Sequence, residues 1–249
     1  MKIKVLTLEG EKSRQENILA QLAPSGLEFE FFEGVDGRKA AHPLFGRYNE
    51  SKRLLFKGEP LSVGQLGCFA SHFLLWQECV RINEPLLIIE DDVKIEVERL
   101  IAAYDLLANL SPGFECVRLF RNYCKRFRAY TAAELDGFVI NKYTKGPMST
   151  MSYYVTPAAA KKFIQAADEW VLPVDIFMDQ FWNNHVECYG MMPEIVSVDL
   201  DFDSIIGYVP KDKKPKWSIY QKLRRELYAL VQNSRRWLWN QRYIRRNQV

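Results

Sequence analysis

Residues 85–92 read Pro-Leu-Leu-Ile-Ile-Glu-Asp-Asp, a short apolar run that ends directly in three acidic residues. A continuous apolar run of this length is typical of a strand that is buried on both faces, as in a parallel sheet. In open α/β sheets, ligands bind beyond the carboxyl ends of such strands, where Glu90, Asp91 and Asp92 stand. The stretch therefore predicts both the fold class and the position of a site.

The acidic cluster Glu90-Asp91-Asp92 needs a positive partner. Its carboxylates repel one another, and the one basic residue directly beside them in the sequence is Lys94. A divalent cation bound by oxygen ligands would remove this repulsion. The alternative is an acidic turn in water, but the buried strand in front of the cluster favours a metal site.

Strand and helix patterns alternate on both sides of this stretch. Ser13 with Glu16, and Ser62 with Gln65, have the spacing of a helix capping box, and Thr156-Pro157 is a typical helix start. Residues 38–60 lack strong periodicity and are predicted to form a long loop. The predicted strands are 2–8, 27–32, 85–89, 116–120, 138–143, 149–155 and 192–198. This order predicts an α/β sandwich with a mostly parallel sheet.

The C-terminal segment differs in charge from the rest of the chain. Residues 211–249 contain twelve Lys and Arg against two acids, a net charge of +10, so residues 1–210 carry −7 of the total +3. We expect a domain over 1–210 and a helical tail over 211–249. Apolar residues at helical spacing, together with Trp, Tyr and Arg, are typical of a helix lying on an anionic membrane. The alternative is a helix packed on the body with its charges in water; a nucleic-acid groove is less favoured.

Composition limits the remaining classes. The 249 residues, 48% of them hydrophobic, suffice for one large domain or two small ones. The five cysteines are odd in number and form no C-x-x-C pair, so we expect free thiols and a reducing, cytosolic compartment. No apolar run reaches the length of about 18 residues that a membrane span needs, and residues 1–6 are too short for a secretory signal.

Several of these segments together resemble glycosyltransferase family 25. The segment from Leu61 to His72 continues to Trp76 and is followed by residues 87–93, and this combination is specific where each piece alone is not. Further matches are Arg14, the turn Gly34-Val35-Asp36-Gly37, the strand Ser152-Tyr153-Tyr154-Val155, and Pro173-Val174-Asp175. The resemblance covers residues 2–200. The family includes bacterial lipooligosaccharide galactosyl- and glucosyltransferases and collagen galactosyltransferases.

The resemblance implies a fold and a reaction. The fold would be of GT-A type, a single Rossmann-like nucleotide-sugar-binding domain. The reaction would be an inverting, metal-dependent transfer from a UDP-sugar, in which Mn²⁺ or Mg²⁺ stabilises the charge on the leaving UDP. Asp92 and Glu90 would hold the metal and the ribose region, and Glu90 and Asp91 would belong to the binding site of the nucleotide-sugar donor.

The resemblance also implies roles for residues elsewhere in the chain. Asp175 would be the general base, with Asp179 as second candidate; the alternative for Asp175 is a helix N-cap. The expected donor contacts are Ser71 and His72 at the diphosphate, Arg14 and Asp36 at the nucleotide, and His185 as a further metal ligand. Each also has a structural alternative: a buried histidine for His72, a solvated charge for Arg14, a turn residue for Asp36, and a helix end for His185.

The expected function is a cytoplasmic glycosyltransferase, peripheral on the inner membrane, that acts on a lipooligosaccharide or lipopolysaccharide acceptor. The expected donor is UDP-galactose first and UDP-glucose second. The tail would hold the enzyme at the anionic inner leaflet, and no nucleic-acid partner is expected. A metal-dependent phosphatase is a second interpretation, but the first strand ends in Thr7-Leu8-Glu9 and lacks its Asp-x-Asp. A third is a non-catalytic membrane- or nucleic-acid-binding module built on the tail, which leaves the acidic cluster unexplained.

Overall fold

The computed structural model describes residues 1–122, 124, 127–199 and 218–247, which form a mixed β-sheet between two layers of helices. The strands are β1 (Lys2–Thr7), β2 (Phe29–Glu33), β3 (Leu86–Glu90), β4 (Val93–Ile95), β5 (Cys116–Arg118), β6 (Ala129–Leu135), β7 (Phe138–Tyr143), β8 (Ser152–Val155), β9 (Tyr189–Met192) and β10 (Val196–Val198). The helices are α1 (Lys12–Leu22), α2 (Glu50–Lys57), α3 (Val63–Ile82), α4 (Val97–Ala108), α5 (Pro157–Ala166), α6 (Val174–Met178), α7 (Phe181–Asn184) and α8 (Ile219–Asn247).

The sheet has the strand order β2-β1-β3-β8-β5-β9-β7-β6. Strands β2, β1 and β3 are mutually parallel, and β5 is parallel to β9. The other neighbours are antiparallel. The α/β class is therefore confirmed, and the parallel half of the sheet is the half that ends in the acidic cluster.

Strand β3 separates two hydrophobic cores because its side chains alternate between the faces of the sheet. Leu87 and Ile89 pack with α1 and α4 on one face. Leu86 and Ile88 pack with α3 and α5 on the other. All four side chains are fully buried, as the uninterrupted apolar run predicts.

Two of the three predicted helix starts are confirmed. At α3, the Ser62 hydroxyl accepts a hydrogen bond from the Gln65 backbone N–H at 3.1 Å, and the Gln65 side chain accepts one from the Ser62 N–H at 3.0 Å. Thr156 caps α5 in the same way. The capping box at Ser13 is wrong, because α1 begins at Lys12 and so places Ser13 inside its first turn.

Other differences from the sequence prediction have local causes. Residues 38–60 contain a 3₁₀-helix at Pro43–Arg47 and the helix α2, whose apolar residues are too few to give a periodic pattern. Strand β6 lies at the edge of the sheet and lacks an apolar run. The predicted strand 192–198 is two strands, β9 and β10, because Pro193 between them has no N–H for a ladder.

The tail helix α8 turns its predicted apolar face outward. That face is exposed at every predicted position: Ile219, Leu223, Leu227, Leu230 and Val231. The other face packs on the body. The Tyr228 ring stacks on Phe56 at 4.4 Å, and the Trp239 indole N–H donates to Glu187 at 2.6 Å.

The expected boundary between residues 210 and 211 lies outside the described residues. No helix within the described part of the chain is long and apolar enough to cross a membrane.

Helix α3 docks on the Gly34–Gly37 turn without room for extra atoms. A Cβ added at Gly67 would lie 2.4 Å from the Val35 carbonyl oxygen and 2.8 Å from the Gly37 nitrogen. A Cβ added at Gly37 would lie 2.1 Å from the Val63 carbonyl oxygen. Backbone therefore contacts backbone on both sides of this contact, and glycine is required for its closeness rather than for its backbone angles.

We predict that Gly67→Ala lowers the free energy of unfolding by about 1–3 kcal/mol, because the added methyl group must displace backbone atoms. A glycine-to-alanine change inside a helix is ordinarily stabilising. Gly46→Ala, where an added Cβ meets nothing within 4 Å, is the matched control. Urea unfolding of both variants measures the change in the free energy of unfolding. An unchanged or raised stability of Gly67→Ala would contradict the close contact.

Candidate functional site

A cavity opens at the carboxyl ends of β1 and β3, where the sequence places the site. Its walls come from the end of β1, the turn after β2, the first turns of α3 and the acidic cluster. It brings together six of the predicted site residues: Arg14, Asp36, Ser71, Glu90, Asp91 and Asp92.

Arg14 supplies the positive charge that the local sequence lacks. One guanidinium nitrogen, Nη1, lies 3.2 Å from Asp91 Oδ1 and 3.3 Å from Asp92 Oδ2. Arg14 is buried, so its interpretation as a solvated helix charge is wrong, and Lys94 is exposed. The nearest compensating charge thus comes from α1, more than seventy residues away in sequence, which local charge patterns cannot reveal.

One guanidinium does not neutralise three carboxylates. Burial raises the pKa of Asp92 to about 6, and the negative charges of Glu90 and Asp91 act in the same direction against Arg14. Burial also raises the pKa of Asp91, although the Thr7 hydroxyl and Arg14 oppose it. Because the cluster consists of oxygen donors with excess negative charge, it fits a hard divalent cation such as Mg²⁺ or Mn²⁺.

Glu90 is held by a chain of hydrogen bonds that starts in the core. The Trp76 indole N–H donates to the Tyr153 hydroxyl at 3.1 Å, and this hydroxyl lies 2.8 Å from His72 Nδ1. His72 Nε2 lies 3.2 Å from Glu90 Oε1, to which the Thr150 hydroxyl also donates at 2.5 Å. Since the Tyr153 oxygen accepts from Trp76, its proton is available to Nδ1, which leaves the Nε2 proton for Glu90.

This row of hydrogen bonds gives His72 a structural role. The ring is fully buried, both nitrogens are engaged, and it does not line the cavity. The structure places His72 behind Glu90, which it orients, and the predicted contact with a diphosphate has no support from the cavity wall. Burial raises the pKa of Glu90, but the hydrogen bonds from His72 and Thr150 outweigh burial and hold it below its ordinary value.

Cys68 is a cavity residue that the sequence analysis did not select. Its sulfur, a His72 nitrogen and a Glu90 oxygen lie within 4.8 Å of one another, which is metal-ligand spacing. However, burial and the charges of Glu90 and Asp175 raise the pKa of the thiol well above its usual range. A protonated thiol is a poor ligand, and His72 has no free nitrogen. We therefore assign the trio to the hydrogen-bond chain and the cavity wall.

Ser71 and Asp36 shape the turn that forms the opposite wall. The Ser71 hydroxyl accepts from the Val35 N–H at 2.8 Å and donates to the Gly67 carbonyl at 2.8 Å, which ties the turn to α3. Asp36 forms a two-point ion pair with Arg38, at 2.8 and 2.7 Å, and this pair lowers the pKa of Asp36. Asp36 and Arg38 both line the cavity. The sequence analysis did not select Arg38.

The charge of a second buried arginine, Arg118 of β5, acts on both candidate bases. Asp179 accepts from the Met148 N–H at 2.8 Å and pairs with Arg118 at 3.4 Å; burial raises its pKa to about 6. Asp175 stands in the first turn of α6, whose N-cap is Pro173, so the N-cap interpretation is wrong. Burial raises the pKa of Asp175 as well, and the charge of Glu90 acts in the same direction.

His185 lies apart from the cavity. It ends α7 with a positive φ of 60°, and its ring contacts the Trp239 ring at 5.4 Å between centroids. It is absent from the cavity wall, so the prediction of His185 as a metal ligand has no structural support, and the helix-end alternative describes its place.

Comparison with known proteins gives a consistent result. Residues 1–178 match the model of glycosyltransferase family 25 (LPS biosynthesis protein). A glycosyltransferase 25 family member of Anopheles gambiae is 28% identical over 191 residues, which cover 74% of this chain and 32% of that protein. Procollagen galactosyltransferase 2 of Mus musculus is 28% identical over 193 residues, covering 73% and 30%.

The similar proteins also include an inactive member of the family and a solved structure that superposes poorly. The inactive glycosyltransferase 25 family member 3 of Homo sapiens is 27% identical over 197 residues, covering 73% of this chain and 31% of that protein. The chain thus spans about a third of the length of these relatives, and likeness alone does not separate active from inactive members. A crystal structure of a glycosyltransferase involved in the glycosylation of the major capsid of PBCV-1 is 12% identical, covers 67% of this chain and 65% of that chain, and superposes with a TM-score of only 0.33.

The repulsion within the acidic cluster makes a prediction about stability. The pKa of Asp92 is about 6 in the folded protein against an ordinary value of 3.8, so its ionised form destabilises the fold. We expect metal-free Asp92→Asn to be about 1–3 kcal/mol more stable than the wild type at about pH 8. The gain should shrink as the pH falls from about 6 towards about 4, because wild-type Asp92 then protonates in the folded state.

Urea unfolding in the presence of EDTA at both ends of this range measures the difference. Asp105→Asn, at an exposed position of α4, is the control for loss of a carboxylate elsewhere on the surface. A variant that is less stable than the wild type at about pH 8 would mean that the Arg14 pair outweighs the repulsion.

Proposed function

This chain belongs to glycosyltransferase family 25, and on that premise we propose that it transfers a hexose from a UDP-sugar to the saccharide of a lipooligosaccharide or lipopolysaccharide. The observation that carries the proposal is the cavity beyond β1 and β3, with three carboxylates around one guanidinium. The similarity to procollagen galactosyltransferase 2 supports galactose as the transferred sugar, and the role of the family in LPS biosynthesis supports the acceptor class.

We assign the metal-binding part of the cavity to Asp92 and Glu90. The Asp92 side chain is 28% exposed, so it reaches the open space while still paired with Arg14. Glu90 uses Oε1 for its hydrogen bonds with His72 and Thr150, which leaves Oε2 for a cation. A bound Mn²⁺ or Mg²⁺ would stabilise the charge that develops on the UDP leaving group.

Arg14 and Asp91 support this arrangement rather than the nucleotide itself. Both side chains are buried, and their ion pair fixes the backbone between Glu90 and Asp92. The turn that carries Asp36 and the end of β1 provide the opposite wall, which we assign to the nucleoside.

We favour Asp175 over Asp179 as the general base. Asp179 has both carboxylate oxygens engaged, one with Arg118 and one with the Met148 N–H. Asp175 forms no ion pair with any of the described residues, and its charge acts on Cys68 in the cavity wall together with that of Glu90. Its raised pKa suits the removal of a proton from the acceptor hydroxyl as the sugar transfers.

Hydrolysis of UDP-sugars by the purified protein tests the proposal, because many transferases slowly pass the sugar to water. We expect Mn²⁺-dependent release of UDP from UDP-galactose, with UDP-glucose second, and loss of the metal dependence in Asp92→Asn. Asp175→Asn should slow release by about 100-fold or more while UDP still binds. Asp105→Asn should match the wild type.

A negative result is equally informative. If no UDP-sugar is hydrolysed and calorimetry detects no binding of UDP, the transferase proposal is wrong. The tail would then become the main functional element, as part of a non-catalytic binding protein.

We further propose that α8 rests on the anionic inner leaflet of the membrane, from the cytoplasmic side. Its exposed side chains include Leu223, Leu227 and Leu230, which are 58–66% exposed, and Arg225 stands beside them. An apolar stripe beside basic side chains on one helix is the chemistry of interfacial binding.

Sedimentation with vesicles tests this contact. We expect Leu223→Ser, Leu227→Ser and Leu230→Ser combined to weaken binding to phosphatidylglycerol vesicles about tenfold or more, because each buried leucine contributes to interfacial affinity. Leu19→Ser and Leu54→Ser, at exposed leucines of α1 and α2, form the matched control. Equal sedimentation of all three proteins would refute the membrane contact.

A further inference from the structure

A second cavity lies between α8 and the body, apart from the acidic cluster. Its body side is formed by the end of α2, the loop around Gly146 and Met148, and the residues of α6 and α7 near Asp179. Its other side is a row of α8 side chains: Tyr228, Gln232, Asn233 and Arg236. The helix therefore builds a wall of this cavity with one face while it exposes its apolar stripe with the other.

Three cations line this cavity without acidic partners. They are Lys57, Lys145 and Arg236, and none lies within 4 Å of a carboxylate among the described residues. Burial lowers the pKa of Lys57 and of Arg236, which means that each charge is partly desolvated. Arg236 donates a hydrogen bond to Asn233 at 3.0 Å, but no carboxylate in the described part of the chain compensates either cation. The one acid in the wall, Asp179, is already paired with Arg118.

The remaining lining suits a sugar. The Lys57 ammonium lies 5.3 Å from the centre of the Tyr228 ring, and Arg236 lies over the Trp182 ring at 5.9 Å. The rings and the amide and charged side chains beside them give the wall both apolar and polar surface, and a saccharide also presents both kinds. Gln232 adds an amide whose oxygen accepts from Trp182 at 2.9 Å.

A second hollow lies next to this cavity along α8, beside the hairpin of β6 and β7. The two hollows share Lys145, Asn233 and Arg236 in their walls, so they lie side by side, and we refer to them together as the groove. The second hollow adds a further cation, Arg128, and three aromatic side chains, Phe127, Tyr130 and Trp237. The groove therefore has cations in the walls of both hollows.

We propose that this groove binds an anionic saccharide, one that carries a phosphate or a carboxylate, as the acceptor of the transfer reaction. The inference rests on the proposed function, because only a transferase has an acceptor. It adds the acceptor's charge and the part played by α8, which lies outside the residues matched by the family model. Asp179 in the wall, and Asp175 one helical turn before it, place the groove beside the candidate base.

Binding of simple sugars to the full chain labelled with ¹⁵N-tryptophan tests the proposal. The Trp182 indole N–H is a probe inside the groove, and those of Trp76 and Trp170 in the core report the integrity of the fold. We expect glucose 6-phosphate and glucuronate to shift the Trp182 signal saturably, and glucose to bind about tenfold more weakly or worse.

Two variants and one matched control test whether glucose 6-phosphate binds through the cations of this groove. Arg236→Gln and Lys57→Gln should each weaken glucose 6-phosphate about tenfold, whereas Arg235→Gln, an exposed neighbour on the same helix, should change it less than about twofold. Unshifted Trp76 and Trp170 signals show that each variant is folded.

Three outcomes would overturn the proposal: equal affinity for glucose and glucose 6-phosphate, equal weakening by Arg235→Gln, or the same Trp182 shift with UDP. The last would assign the groove to the donor. Calorimetry with UDP is run on the same samples, so that loss of donor binding, which refutes the transferase itself, is distinguished from loss of acceptor binding alone.

Discussion

The ion pair of Arg14 with Asp91 and Asp92 is the interaction on which the candidate site depends. It joins the first helix to the end of the central strand and makes the acidic cluster tolerable inside the fold. It also stops short of neutrality, since Asp92 and Glu90 keep oxygens towards the cavity. A fully compensated cluster would be more stable but would have little affinity for a cation. The residual charge is thus the feature through which the proposed cation would bind at this ion pair.

The remaining parts of the site hold this cluster from two directions. From the core, successive hydrogen bonds connect Glu90 to His72, Tyr153 and Trp76. From the other side, the close docking of Gly67 on the Gly34–Gly37 turn sets the width of the cavity. His72 and Gly67 lie outside the cavity wall, whereas Gly37 belongs to it. Both devices fix side chains that line the cavity, which is why few polar groups suffice to define its geometry.

The sequence was sufficient for the elements with strong local signals and for the location of the site. The buried strand before Glu90 and the helix start at Ser62 could be predicted because each is determined by residues within a few positions of one another. The roles of Arg14 and His72 were not, because each depends on a partner at least eighteen residues away. Arg118 could have been noticed as a charge inside an apolar strand, but its partner Asp179 is visible only in the fold. Short helices and an edge strand were missed because they carry little apolar surface.

The tail helix reverses the usual arrangement of an amphipathic helix on a globular protein. Its polar and aromatic face is packed inward, and the apolar side chains that face outward are Ile219, Leu223, Leu227, Leu230 and Leu238. In water, the arginines of α8 on two protein molecules repel each other, and this repulsion opposes association through the apolar stripes. Salt screens such repulsion within about 10 Å at moderate ionic strength. Colloidal stability of the isolated protein should therefore fall as salt rises, and detergent or lipid would act as a solubilising partner rather than a denaturant.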